Sequence, residues 1–344
     1  MKRILFITLI TAFVTGLFTS CDNADWEFPD FEHTAVYFAY QSPIRTITLG
    51  EDVYDTTLDN EYKAQIMATM GGVYANNTDV VIQIQVDNSL VDGLAFDGNE
   101  DPLQDIVAMP ENYYSLSSDR ITIKKGDILG GVTVQLTEAF FADPLALTTH
   151  YVIPVVMTSV TNADSILQGV PLVENPRRGV ADDWEVQPKD YILYAIKYIN
   201  KYDANYLRRG QDVISGDQSG TITRSAEYVE WDEVVSTIST RSLNTIAWEH
   251  QSRDLDDFSR SCVLLLTFDD QGNCVITSDT DGITASGTGT FVSKGEKNSW
   301  GNKDRDALYL EYTIDYGDVQ FTITDTMVVR DRGVKPEWFT SVLK

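Results

Sequence analysis

Val319-Gln320-Phe321-Thr322-Ile323-Thr324-Asp325-Thr326-Met327-Val328-Val329 carries an apolar side chain at almost every second position, with glutamine and threonine between. One apolar face at period 2 is the pattern of a half-buried β-strand. Working back from this segment, strands are expected over Leu308 to Tyr316, Gly282 to Val292, Asn273 to Ser278, Ser261 to Phe268 and Thr245 to His250, each joined to the next by a short turn. An up-and-down meander of this kind can close into a barrel and so remove its exposed edges.

The earlier half of the chain shows the same period. Val80, Ile82, Ile84 and Val86 alternate with polar or outward positions, as do Ile121 and Ile123, and Val132, Val134 and Leu136. Ile153, Val155 and Met157 complete the set, and Pro154, which has no N–H to donate, marks theirs as an edge strand. Short strands separated by turn residues indicate a β-sandwich. Between the halves, Pro171, Pro176, Gly179 and Pro188 mark residues 166–188 as a linker. Tyr191 to Asn200 could form a helix. Its β-branched and aromatic content, with Ile192, Tyr194, Ile196 and Tyr198 on one face, favours a strand that opens the second half. The fold class is therefore all-β: a sandwich at 34–165 and an antiparallel, barrel-like meander at 189–344.

The N-terminus has a different character. Lys2 and Arg3 precede an apolar run from Ile4 to Phe18 that is short for a membrane span. A basic start and a short apolar core form a signal peptide, expected over residues 1–20. Leu17-Phe18-Thr19-Ser20-Cys21 resembles a bacterial lipobox, which implies cleavage before Cys21 and lipidation of that cysteine. Each methylene of an acyl chain contributes ~0.8 kcal/mol to membrane anchoring. The acidic tether at 21–33 begins Asp22-Asn23-Ala24-Asp25-Trp26-Glu27 and resembles the surface-export signal of Bacteroides-type lipoproteins. The expected location is the outer membrane, lipid-anchored and facing the exterior.

Composition narrows the function. There are 52 acidic against 26 basic side chains, a net charge of -26. That balance excludes nucleic acid as a partner, since binding it requires cations to neutralise phosphates. It offers no basic patch for anionic lipid either. Once Cys21 is lipidated, Cys262 and Cys274 are the remaining cysteines. A hairpin centred on Asp269 to Gly272 sets Cys262 opposite a residue near 279 rather than opposite Cys274, so two free thiols are expected.

Two stretches carry family resemblances. Asp87-Asn88-Ser89-Leu90-Val91, Pro110-Glu111-Asn112-Tyr113-Tyr114-Ser115-Leu116 and Ile121-Thr122-Ile123-Lys124-Lys125-Gly126 resemble an N-terminal domain of unknown function found in Bacteroidetes surface lipoproteins. The resemblance covers about 34–165 and implies an immunoglobulin-like fold with no catalytic residues to carry over. Lys197 to Tyr202, Tyr206-Leu207-Arg208-Arg209-Gly210 and Lys294 to Gly301 resemble a second domain of unknown function that often follows the first. That match covers about 188–340 and implies a lipocalin-like barrel. Such proteins often accompany outer-membrane glycan-uptake systems.

Signatures of catalysis are sparse. His33, His150 and His250 are the three histidines, and none sits in a zinc-hydrolase spacing. There is no nucleophile elbow, phosphate-binding loop or dinucleotide fingerprint, and no cofactor is expected. Asp254, Asp256 and Asp257 share a loop, as do Asp279 and Asp281, and both groups read as solvated acidic turns. Asp325 falls on the apolar face of its strand, where an isolated carboxylate is costly. His250 shares a face with Ile246 and Trp248. One reading lines a cavity for a small polar ligand with Trp248, Tyr312, Tyr316 and Asp325. The more economical reading places Asp325 beyond a bulge or at a wet strand end, with the aromatics as core. Trp231 and Trp300 lie among polar residues, where flat rings could stack on sugars. The expected function is a non-catalytic surface lipoprotein that binds saccharide or assists an outer-membrane uptake complex. An adhesin or surface-assembly subunit is the first alternative, and a glycoside hydrolase using two of the many carboxylates is the second.

Overall fold

A computed structural model describes residues 33–74, 76–98, 101–225 and 235–344. The signal segment, Cys21 with most of its tether, and Trp231 lie outside the described residues.

Two sheets face each other in the N-terminal half. One has the order Ser165–Ile166, Ala35–Tyr37, Lys63–Gly71, Leu129–Leu136, Tyr114–Leu116. The other has the order Glu337–Trp338, Pro43–Thr48, Tyr191–Ile199, Tyr151–Thr161, Val80–Val86, Arg120–Ile123. The alternating residues meet between them: Ile66, Ile82, Ile121, Val134, Val155 and Ile196 all lie in one buried cluster. This is the expected sandwich.

Four features depart from the sequence reading. The Tyr151–Thr161 strand is internal rather than at an edge, flanked by Tyr191–Ile199 and Val80–Val86. Pro154 is tolerated because it lies just past the last pair of the second ladder, Val155 with Val86. Its carbonyl accepts from the Asp87 N–H there, where a missing N–H costs little.

The second departure is the Tyr191–Ile199 strand itself, which belongs to the sandwich and not to the barrel. It runs parallel to Pro43–Thr48 and antiparallel to Tyr151–Thr161. Ile192, Tyr194, Ile196 and Tyr198 enter the main core, while Tyr191, Leu193 and Ala195 enter a smaller one on the other face. A strand apolar on both faces is a central strand, and this one completes the sandwich sheet rather than opening the barrel.

Third, the 166–188 segment is folded. Val170–Pro171 pairs with Trp184–Val186, and Val180 and Trp184 are buried. Arg177 and Arg178 hold the carboxylates of Asp183 and Asp190. Fourth, the last residues leave the barrel. Glu337–Trp338 extends the second sheet of the sandwich, and Ser341–Leu343 pairs with Leu94–Phe96. Phe339 packs edge-on against Phe96 at 5.0 Å. Arg332 also joins the halves, donating to the carbonyls of Leu49, Asn200 and Asp203.

The C-terminal half is the expected barrel. Ala204–Gly216, Val235–Ser242, Thr245–Arg253, Ser259–Phe268, Asn273–Ser278, Thr284–Ser299, Lys303–Asp315 and Val319–Asp331 follow one another, and the last pairs with the first to close the wall. Gly220–Arg224 folds back on the upper part of Ala204–Gly216. Cys262 and Cys274 are buried and free, as the register with Phe268 opposite Cys274 requires. Burial, with Asp269 adding to it, pushes the Cys274 thiol up to about 12.

Candidate functional site

Asp325 is 1 % exposed and sits mid-strand inside the closed barrel, neither beyond a bulge nor at a wet end. What makes this tolerable is a set of partners from the other strands. Arg208 Nε donates to Asp325 Oδ2 at 2.9 Å, and the Tyr312 hydroxyl donates to the same oxygen at 2.7 Å. Arg224 reaches Asp325 Oδ1 and also pairs with Asp212. Two guanidinium groups thus meet two carboxylates, and both oxygens of Asp325 are engaged. A buried carboxylate needs such pairing to stay charged.

Gly210 makes room for the arrangement. It lies directly opposite Asp325 in the ladder, and a Cβ there would stand 2.4 Å from Asp325 Oδ1 and 2.1 Å from the Thr324 carbonyl.

His250 completes the group. Arg208 Nη2 lies 2.9 Å from its Nε2, and an arginine only donates, so Nε2 is the lone-pair nitrogen and the ring proton is on Nδ1. Burial, with Arg208 and Arg224 adding to it, holds the imidazole well below its ordinary value, so it is neutral. Burial likewise pushes the Tyr312 phenol well up, and Asp325 reinforces this. The Arg208 guanidinium lies 4.9 Å from the Trp248 ring centre, and the Trp248 and His250 rings meet edge-on at 4.5 Å. Stacking of this sort steadies a buried cation.

Of the candidate residues, the structure therefore brings together Trp248, Tyr312 and Asp325. Tyr316 stands nearer the barrel mouth, against Phe321 at 5.7 Å, with its hydroxyl 3.7 Å from the Cys262 sulfur. Arg208, Arg224 and Asp212 were missed by sequence reasoning, although a buried Asp325 called for a cation and Arg208-Arg209 stood in a segment already singled out. Asp254, read as part of a solvated turn, is instead 4 % exposed and accepts from the N–H groups of Asp256 and Phe258. Asp279 and Asp281 are exposed as expected.

Trp300 is half-buried in the turn that joins Thr284–Ser299 to Lys303–Asp315, outside the barrel interior. The Arg209 guanidinium stacks 4.6 Å from its ring centre. Glu296 fixes that arginine at 2.8 Å and accepts the Tyr309 hydroxyl at 2.9 Å. Arg305 Nε donates to the Trp300 carbonyl at 2.7 Å. An indole ring, a phenol and a carboxylate are thus held side by side on the outside of the barrel.

Comparison with known proteins places the chain. Residues 201–333 match the model of a domain of unknown function, DUF5627, and residues 31–164 match a family model for an N-terminal domain. A Bacteroides ovatus crystal structure of unknown function is 45 % identical, covers 91 % of this chain and 100 % of its own, and superposes with a TM-score of 0.85. A second Bacteroides ovatus structure of unknown function is 14 % identical, covers 89 % of this chain and 100 % of its own, with a TM-score of 0.40. A third, named provisionally as a carbohydrate binding protein from the same species, is 11 % identical, covers 88 % of this chain and 97 % of its own, with a TM-score of 0.27. No curated protein sequence matches. The chain joins the matched N-terminal domain to a DUF5627 domain, and it belongs to the same family as the 45 % identical Bacteroides ovatus protein.

Proposed function

We infer that this is a lipid-anchored protein of the cell exterior that binds saccharide without transforming it, as an accessory of glycan uptake. The observation that carries the reading is the Trp300 group outside the barrel interior. A pyranose presents a C–H face that stacks on an indole ring, and hydroxyls around its rim that a carboxylate such as Glu296 accepts. Arg209 and Glu296 hold the ring in place before any ligand arrives, which lowers the entropic cost of binding.

Trp300→Ala is expected to weaken retention of the protein in polysaccharide-containing native gels at least tenfold. Unchanged mobility across a panel that retards the natural protein would remove the observation on which the reading stands. The anchor is tested separately. Mass spectrometry of the mature protein should find an acylated N-terminal Cys21, and Cys21→Ser should abolish membrane association. A non-acylated mature N-terminus contradicts the surface assignment.

A further inference from the structure

We propose that the outer wall of the barrel carries a binding groove for a neutral oligosaccharide that lies across the strands, with Arg209 and Trp300 beyond one end of it. The proposal deepens the saccharide-binding reading and rests on it. Its basis is a feature of the strand register. Thr267, Val275, Thr288, Glu311 and Thr324 are cross-strand neighbours in succession, forming one row over five strands. A second row runs beside it through Asn273, Thr290, Tyr309 and Thr326 to Arg209, the residue on which Trp300 stacks. At ~4.8 Å between neighbouring strands, five strands span roughly 19 Å, the length of a short oligosaccharide.

The rows, short of Arg209, line a depression of about 740 Å³. The Thr284–Ser299 strand lies at its centre. Gly289 faces inward, and a Cβ there would stand 2.3 Å from Leu310 Cδ2 and 3.0 Å from the Cys274 sulfur. The absence of a side chain there lets the strand lie close against Leu310 and Cys274.

The lining selects the ligand by its chemistry. Threonine hydroxyls donate and accept, matching sugar hydroxyls. Tyr309 supplies a ring near the middle, held by its bond to Glu296. Asp269 and Glu311 bring negative charge, and among the described residues no lysine or arginine lines the depression. A polyanionic chain would meet uncompensated carboxylates there, on a protein already at a net charge of -26. A pairing β-strand is disfavoured, because every strand beneath the rows already has neighbours on both sides.

The experiment uses the mature full-length protein, titrated calorimetrically with linear hexaoses of glucose, mannose and xylose and with hexagalacturonate. At least one neutral hexaose should bind, and hexagalacturonate at least tenfold more weakly. Thr288→Trp and Thr324→Trp, outward and exposed positions, each fill the depression and should weaken binding at least tenfold with an unchanged far-UV circular dichroism spectrum and midpoint of thermal unfolding. Two variants are used so that a folding defect in one does not decide the result. If Trp300→Ala abolishes binding while both filled variants bind within twofold of the natural protein, the groove is wrong and the saccharide reading stands. If hexagalacturonate binds as tightly as the neutral chains, the proposed ligand class is wrong. If none of these chains binds the natural protein, both readings fall.

Discussion

Asp325→Leu should destabilise the barrel by about 3–5 kcal/mol, the usual cost of removing one partner from a buried ion pair. At ~2–4 °C per kcal/mol for a domain of this size class, the midpoint of thermal unfolding should fall by roughly 6–20 °C. The cost comes from what is left behind. Arg208 is 7 % exposed, and without Asp325 it keeps only neutral acceptors: the Gln251 carbonyl, His250 and Tyr312. The Tyr312 hydroxyl loses the acceptor it donates to at 2.7 Å. Arg224 retains Asp212 and suffers less. Removing the stranded charge should therefore restore stability. The double variant Asp325→Leu with Arg208→Met exchanges a buried pair for apolar side chains, a change that is often neutral or favourable. It should be more stable than Asp325→Leu alone by at least about 2 kcal/mol, a coupling of the size expected between contacting residues. Unfolding followed through the fluorescence of buried Trp248 reports on the site itself. Additive effects of the two substitutions would show that Arg208 and Asp325 do not depend on each other as the geometry requires.

The same group shows why the sequence disclosed part of the barrel and concealed the rest. The Val319–Asp331 strand is legible because Val319, Phe321, Ile323 and Met327 outweigh the single Asp325 on their face. Its partner in closing the barrel, Ala204–Gly216, turns Tyr206, Arg208, Gly210, Asp212 and Ile214 toward the same interior. Charged residues and a glycine occupy the middle of that face, so its period-2 apolar signal vanishes where the polar group is built. The Tyr191–Ile199 strand was hidden in the opposite way. Its identity as a strand is plain, but its membership depends on pairing with Pro43–Thr48, far away in sequence, and no local pattern encodes that partner. For the same reason the return of Glu337–Trp338 to the sandwich could not be read from the tail. The outer-wall rows were legible only in fragments. Alternating threonines in 284–290 and 322–326 announce exposed strand faces, while their alignment into one surface is a matter of register.

Acid should weaken the barrel through His250, and the direction follows from its two environments. In the unfolded chain the imidazole takes a proton near its ordinary pKa of ~6.5. In the folded barrel burial, Arg208 and Arg224 hold it well below that value, and Tyr312 and Asp325 complete the surrounding group. Above the unfolded pKa neither state is protonated, and the contribution of the neutral ring is fully present. Below it the unfolded chain binds one more proton than the folded one, so stability drops by about 1.4 kcal/mol for each pH unit. From pH 6.5 to pH 5.0 this amounts to roughly 2 kcal/mol. Asp59 and Asp203 act in the opposite sense, since burial raises both. The informative quantity is therefore the difference between the natural protein and His250→Gln, in which those carboxylates cancel. Glutamine can still accept from Arg208 through its side-chain carbonyl but cannot take up a proton. Denaturant titrations at pH 7.5, 6.5, 5.5 and 5.0 should show the natural protein losing stability toward acid more steeply than His250→Gln, with the two slopes converging above about pH 7. Parallel slopes throughout would mean that His250 is not held neutral, and Arg208 could not then be donating to a lone pair on its Nε2.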